Sequence, residues 1–253
     1  MTLARHTLFI SDLHLSTRAP NIYQHFTYFL KHIAPQAEAL YILGDFFELW
    51  LGSDIKNPLY DEIKMHLQHL KNQGTRIYFM KGNRDFLLNT DDVGTFGMTL
   101  LDDPCLITLY NKKVLLTHGD RLCTLDVAYQ RYRRIANLRL LQWLFLHMPL
   151  KFRTNLAQKI HNKNPHKEHG LQLDYAIADA TPDAIWQDLE QYQADYMIHG
   201  HTHRMGVHWM DDKLRVVLGD WQKHFFNYLY VSEEQLLLKS CSSPGSSLSS
   251  HLP

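Results

Sequence analysis

The chain has 253 residues, enough for one large α/β domain with a real core or for two small ones, and its 26 acidic and 26 basic side chains cancel, so overall charge points to no partner. Cys105, Cys123 and Cys241 are odd in number and lack CxxC spacing, which argues against a disulfide framework or a thiolate zinc site and fits a reducing cytoplasm. The N-terminus runs from Met1 into Leu8-Phe9-Ile10 with no signal-peptide pattern, and no stretch approaches the roughly 20 apolar residues that span a bilayer. Histidine is the outlier at 17 residues, which prompts a search for metal-ligand spacing.

Thr7 to Ser11 reads as a short buried strand delivering Asp12-Leu13-His14 at its C-terminal end, with the Asp and the His on one side. A helix is expected over Ile22 to Ile33, with Phe26, Phe29, Leu30 and Ile33 as its apolar stripe and Pro35 closing it. The strand Ala39 to Leu43 ends in Gly44-Asp45. A second helix over Tyr60 to Asn72 hands over at Gly74 to the strand Ile77 to Met80, which stops at Gly82-Asn83-Arg84-Asp85. Lys113 to Thr117 ends in His118-Gly119-Asp120, and Tyr196 to Ile198 ends in His199-Gly200-His201-Thr202-His203. Leu214 to Leu218, Phe226 to Val231 and Gln235 to Leu238 are expected as closing antiparallel strands. The βαβα alternation predicts right-handed crossovers and neighbouring strand ends on one edge. Residues 1–239 are expected to form a single domain and the Ser-rich 240–253 a disordered tail without chemistry.

Residues 122–179 stand apart as a helical insert, at once basic and apolar. From Arg121 through Lys167, Arg131, Arg133, Arg134, Arg139, Lys151, Arg153, Lys159, Lys163 and Lys167 stand against the single acid Asp126. Leu138, Leu141, Phe145 and Met148 share a helical face, and Leu140, Trp143, Leu144 and Leu146 make the rest of that helix apolar until Pro149. Phe152, Leu156 and Ile160 give a further short stripe. Two readings stand here: a hairpin packed on the core with its cations solvated, or a lid with an apolar interior and a cationic rim, suited to a phosphate-bearing lipid or an anionic membrane surface.

Gly82-Asn83 alone is ordinary turn chemistry, as is any isolated Asp-X-His. Asp12-X-His14, Gly44-Asp45, Gly82-Asn83, His118 and Gly200-His201-X-His203 together, each after an apolar strand, place oxygen and imidazole donors along one sheet edge. They exceed what one metal needs and suit a pair of metals sharing a carboxylate. His199 and the remaining histidines are expected to be structural.

In that order the motifs resemble those of the calcineurin-like metallophosphoesterases. The resemblance implies a four-layer α/β/β/α sandwich with a two-metal centre: Asp12, His14 and His203 on one metal, Asn83, His118 and His201 on the other, and Asp45 between them. Where many members have Gly-Asn-His this chain has Gly-Asn-Arg, and Arg84 cannot act as a general acid but can hold two oxygens of a diphosphate. Gly82 to Leu88, Phe9 to Leu15, Tyr41 to Glu48, His118 to Asp120 with Leu122 to Thr124, and Ile198 to Arg204 are similar to the UDP-2,3-diacylglucosamine diphosphatase branch of lipid A synthesis. That resemblance implies a cytoplasmic, membrane-peripheral hydrolase, a monomer with no nucleic-acid partner. It would use two divalent metals, Mn2+ for preference, to cleave UDP-2,3-diacylglucosamine into UMP and 2,3-diacylglucosamine 1-phosphate. Asn83 and Arg84 would be catalytic, and Asn83, Arg84, Asp126, Tyr129 and His201 would contact substrate. The branch's Ser-Lys-X-X-Asn-X-X-Lys appears here as His166 to Leu173 with only Lys167 matching, so Lys167 or Arg153 is expected to supply a compensating cation. The rival readings are another phosphodiesterase or dinucleotide hydrolase on the same centre, and a metal-free scaffold of the same fold.

Overall fold

Alternation along three short strands decides the architecture. In the computed structural model, which describes residues 5–162, 177–242 and 249–250, β1 (His6–Ile10), β2 (Ala39–Leu43) and β3 (Arg76–Met80) lie side by side and parallel. Leu8, Ile10, Leu40, Ile42, Ile77 and Phe79 turn to one face, where Phe26, Phe29 and Leu30 of α1 (Pro20–His32) and Ile63, Leu67 and Leu70 of α2 (Pro58–Asn72) cover them. Phe9, Leu43 and Met80 turn to the other face and meet a second sheet. Each such side chain, when fully buried, stabilises the fold by about 1.5–3 kcal/mol. Both helices begin two residues before the sequence pattern suggests, because Pro20 and Pro58 fit the first helical turn; Asn57 caps the second, accepting from Leu59 N–H at 3.1 Å.

The first sheet is completed by β4 (Thr99–Leu101) beside β3 and, beyond β1, by β10 (Phe225–Ser232), β11 (Leu236–Ser242) and β12 (Ser249–Ser250). The second has the order β5 (Cys105–Leu109), β6 (Lys112–Thr117), β7 (Tyr196–His199), β9 (Lys213–Val217), β8 (Gly206–Met210). Its outer face, at Leu115 and Met197, is covered by Ile185 and Leu189, which lie on the helix Pro182–Gln191. Helix, sheet, sheet and helix make the four expected layers.

Two expectations are corrected. β9 is parallel to β7, because the chain first makes the unforeseen edge strand β8, which turns through Asp211-Asp212 and pairs with β9 antiparallel. The tail does not begin at Ser240: β11 runs to Ser242, with Cys241 buried in the core, and Ser249 and Ser250 pair with Ser240 and Lys239. The residues 243–248 and 251–253 lie outside the described part.

After α3 (Thr90–Thr95), which precedes β4, the insert between β6 and β7 supplies α4 (Val127–Ala136), α5 (Arg139–Leu146) and α6 (Leu150–Asn162). Of the expected α5 stripe, Phe145 packs on the core together with Leu146, while Leu138, Leu140, Leu141, Trp143 and Leu144 are exposed. Lys163, His166 to Leu173 and hence Lys167 lie outside the described residues.

Candidate metal centre

Every strand that ends in a motif residue ends at the same place. Asp12 and His14 follow β1, Asp45 follows β2, Asn83 follows β3, His118 follows β6, and His201 and His203 follow β7. Asp12, His14, Asp45, His201 and His203 all have left-handed backbone, with φ between 49° and 65°, a conformation uncommon for such residues and held only where the surroundings over-determine it. The restraint is a lattice of backbone bonds between the loops: Asp12 N–H to Gly44 C=O (3.1 Å), His14 N–H to Asp45 C=O (2.9 Å) and Gly200 N–H to His118 C=O (2.9 Å). A Cβ on Gly82 would collide with Asp45, and one on Gly200 with Asp12, so glycine at these motif positions lets two loops close on one carboxylate.

The donors form two groups, Asp12, His14 and His203, and Asp45, His118 and His201, whose ligand atoms lie within 4.8 Å of one another in each group. Asp45 faces both: Oδ1 is 3.7 Å from His118 Nε2 and Oδ2 is 4.0 Å from His14 Nε2. Asn83 Oδ1 sits 3.1 Å from His118 Nε2, so all seven expected donors converge. His118 donates Nδ1–H to the Leu43 carbonyl at 2.9 Å, which fixes the ring and turns Nε2 to the centre.

Burial governs the charges. It pushes His14 and His201 down to about 4, leaving neutral imidazoles. Burial also opposes charge on His118, but Asp45, Asp12 and Asp120 outweigh it and raise His118 to about 9. Asp45 is raised to about 7 by burial, with Asp12 and Asp85 adding to the rise against the pull of His118. Asp12 is lowered despite burial, by the His203 ring beside it and by the charges of His118 and His14. Asp12 Oδ1 is buried and makes no well-formed hydrogen bond, with His203 Nε2 3.4 Å away. A buried carboxylate oxygen facing imidazole nitrogens and a second carboxylate is a donor set that divalent cations fit.

The other residues expected at the site make contacts of their own around it. Arg84 N–H donates to Asp45 Oδ1 at 2.8 Å. Asp126 caps α4 through Tyr129 N–H (2.8 Å), and the Tyr129 ring stacks toward His201 at 6.0 Å while its hydroxyl donates to Asp120 Oδ2 (2.6 Å). His199 is no donor to the centre: its Nδ1–H goes to the Gly200 carbonyl and its Nε2 accepts from Arg215. A cleft of about 710 Å³ opens beside Asn83, Asp120, Tyr129 and Arg133, with Phe86 and Leu100 as apolar wall.

Three contributors escaped the sequence reading. Asp85 accepts from Gly82, Phe46 and Phe47 N–H and so clamps the Asn83 loop to the Asp45 loop. Asp120 and Arg133 tie α4 to the second sheet. The place of Asp85 and Asp120 next to motif residues was their one signal. Arg153, expected as a substrate cation, is instead buried against Leu51 and Asp54, because the loop after Asp45 folds over it.

A family model described as calcineurin-like phosphoesterase matches residues 5–205. UDP-2,3-diacylglucosamine hydrolase of Aeromonas hydrophila is 48% identical over 225 residues, 85% of this chain and 90% of that protein. The protein of the same name from Haemophilus influenzae is 42% identical over 229 residues, 90% of this chain and 96% of its own length. Among solved structures, vacuolar protein sorting 29 from Cryptosporidium parvum superposes with a TM-score of 0.51 at 13% identity, over 98% of this chain and 96% of that one, a likeness of fold.

Proposed function

The chain belongs to the calcineurin-like phosphoesterase family, and on that premise we propose that it hydrolyses the diphosphate of UDP-2,3-diacylglucosamine, releasing UMP and 2,3-diacylglucosamine 1-phosphate for lipid A synthesis. The observation that carries this is the pair of donor groups sharing Asp45, beside a cleft roofed by α4. Asp12, His14 and His203 would hold one divalent cation and Asn83, His118 and His201 the other, with Asp45 between them, and Mn2+ is the metal we infer. When bound, such a pair supplies Lewis acidity and positive charge for an in-line displacement at phosphorus.

The chain's own residues orient that chemistry. The Leu43 carbonyl holds the His118 ring, and the Asp85 clamp fixes the loop from which Asn83 and Arg84 reach the diphosphate. Arg84 offers a two-pronged cation for charge developing on phosphoryl oxygens, a task suited to a diphosphate whose leaving group needs little protonation. Asp126, Tyr129 and His201 line the approach to the sugar and phosphate. The insert, residues 122–179, serves as the lid for the acyl chains.

The same insert supports a peripheral place on the cytoplasmic face of the inner membrane. No helix among the described residues is long and apolar enough to cross a membrane. Yet Leu140 (67% exposed), Trp143 (55%) and Phe152 (54%) stand in water on an insert whose Arg131, Arg134, Arg139 and Lys151 are exposed as well, the combination of apolar and cationic surface that an anionic membrane would attract. A monomer acting on this lipid, without nucleic acid, completes the proposal.

The deciding experiment compares, with Mn2+, UMP release from UDP-2,3-diacylglucosamine with the hydrolysis of dinucleotide polyphosphates and simple diesters, each followed by its own product. Preference for the lipid by at least a hundredfold in kcat/KM is expected, and preference for a dinucleotide would overturn the assignment. Asp45→Asn and His118→Ala should lower turnover by at least a thousandfold with the circular dichroism spectrum retained.

A further inference from the structure

Among the cations of the insert, Arg153 points inward. It lies in the first turn of α6 yet is 2% exposed. Its Nη1 donates to the Leu51 carbonyl and its Nη2 to an Asp54 carboxylate oxygen, so the guanidinium grips both backbone and side chain of the loop that follows Asp45. The fit reaches into the sequence of that loop. Gly52 has φ +133°, and a Cβ there would collide with Arg153 Nη1 and lie 3.4 Å from Leu146 of α5.

The gripped loop is also the one that supports Arg84. Trp50 N–H donates to the Arg84 carbonyl at 3.2 Å, and Phe46 and Phe47 N–H donate to Asp85. A continuous path therefore runs from α6 through Arg153, residues 50–54 and the Arg84 backbone to the loop bearing Asn83. Along that path Phe145 and Leu146 are the α5 residues that pack on the core, while the rest of the α5 apolar surface is exposed. α5 thus touches the core through Phe145 and Leu146 alone among its apolar residues and runs directly into the helix that Arg153 anchors.

We propose that Arg153 and Asp54 form a latch that sets α5 and α6 against the Arg84 loop, making Arg153 a positioning residue for the lipid substrate. This rests on reading the insert as the acyl lid. A planar fork is required, since lysine could reach one partner but not both at once. Removing the arginine frees α6 from the loop; removing only Asp54 leaves a buried cation with one carbonyl.

The test uses the full chain and the variants Arg153→Met, Arg153→Lys, Asp54→Asn and the Met/Asn double variant. KM and kcat are measured for UDP-2,3-diacylglucosamine, hydrolysis of bis(p-nitrophenyl) phosphate with Mn2+ serves as a reaction that needs only the metal donors, and amide exchange is followed over residues 139–157. For Arg153→Met the expected result is a KM for the lipid raised at least tenfold, diester hydrolysis within threefold of the parent, and exchange in α5 and α6 at least tenfold faster with β1 to β3 unchanged. Arg153→Lys should recover part of the KM, and the double variant should be no worse than Arg153→Met, since the two residues act as one unit. Unchanged KM with unchanged exchange would overturn the latch, as would equal loss on both substrates with faster exchange in β1 to β3. If the parent itself does not turn over the lipid, the proposed function fails, and the exchange measurement still decides the latch.

Discussion

His199 stands two residues before His201 and is as buried as any donor in the centre, yet both its ring nitrogens are engaged away from it. Burial and the adjacent Arg215 hold it down to about 3. In the unfolded chain the imidazole returns to its ordinary value near 6.5 and takes up a proton first as the pH falls. Its contribution to stability is therefore complete above about pH 6.5 and is lost as the pH falls toward 3. His199→Gln should flatten the loss of unfolding free energy between pH 6.5 and 4 by up to about 1.4 kcal/mol per pH unit relative to the parent, read from urea denaturation at each pH; parallel slopes would refute it. The convergence of the seven residues expected as donors was legible at this scale because residue type and position after a strand suffice to mark them. Asp85 was not, because it acts on backbone N–H groups of another loop. Arg153 was not either, because whether a cation of the insert points outward depends on the distant loop it meets.

At the scale of elements, α4 is fixed by charge where α5 is left exposed. Arg133 donates Nε–H to Asp120 Oδ2 (2.7 Å) and an Nη2 hydrogen to Asp103 Oδ2 (3.2 Å), while Thr117 supports the other Asp103 oxygen (2.6 Å). Burial and the neighbouring Asp120 raise Asp103, so the two carboxylates share a site that one guanidinium makes tolerable. Arg133→Met should cost about 3 kcal/mol near pH 7, since it takes the shared cation from the buried Asp120 and the half-buried Asp103, and the loss should shrink as the pH falls and Asp103 takes up a proton. Urea denaturation at pH 7 and pH 5 checks both the size and the direction; a loss that grew toward pH 5 would contradict this account. Strands and helices buried on one face were legible from periodicity. The edge strands were not: β8 leaves Trp209 63% exposed, and β4 has three residues, too few to show a period.

Across the whole molecule, each donor group draws on both sheets. Asp12 and His14 follow β1 of the first sheet, whereas His203 follows β7 of the second; Asp45 follows β2, whereas His118 and His201 follow β6 and β7. The sheets otherwise meet through the apolar layer of Phe9, Leu43 and Met80 against Val114, Leu116 and Ile198, which is non-directional and does not fix how far one strand-end edge lies from the other. Filled donor groups would therefore cross-link the sandwich at that edge, and a cation that binds only the folded chain stabilises it by mass action. At a hundred times its dissociation constant, each Mn2+ should add about 2.7 kcal/mol, equivalent to about 5–10 °C in Tm for a chain of this length. Calorimetry of the chelator-treated and Mn2+-loaded protein measures this directly. His203→Ala should lose the increment of one site and Asp45→Asn that of both, because Asp45 faces the two groups at once. If loading with Mn2+ raised Tm equally in the parent and in Asp45→Asn, the cations would be binding elsewhere, and the shared carboxylate would have to be given up.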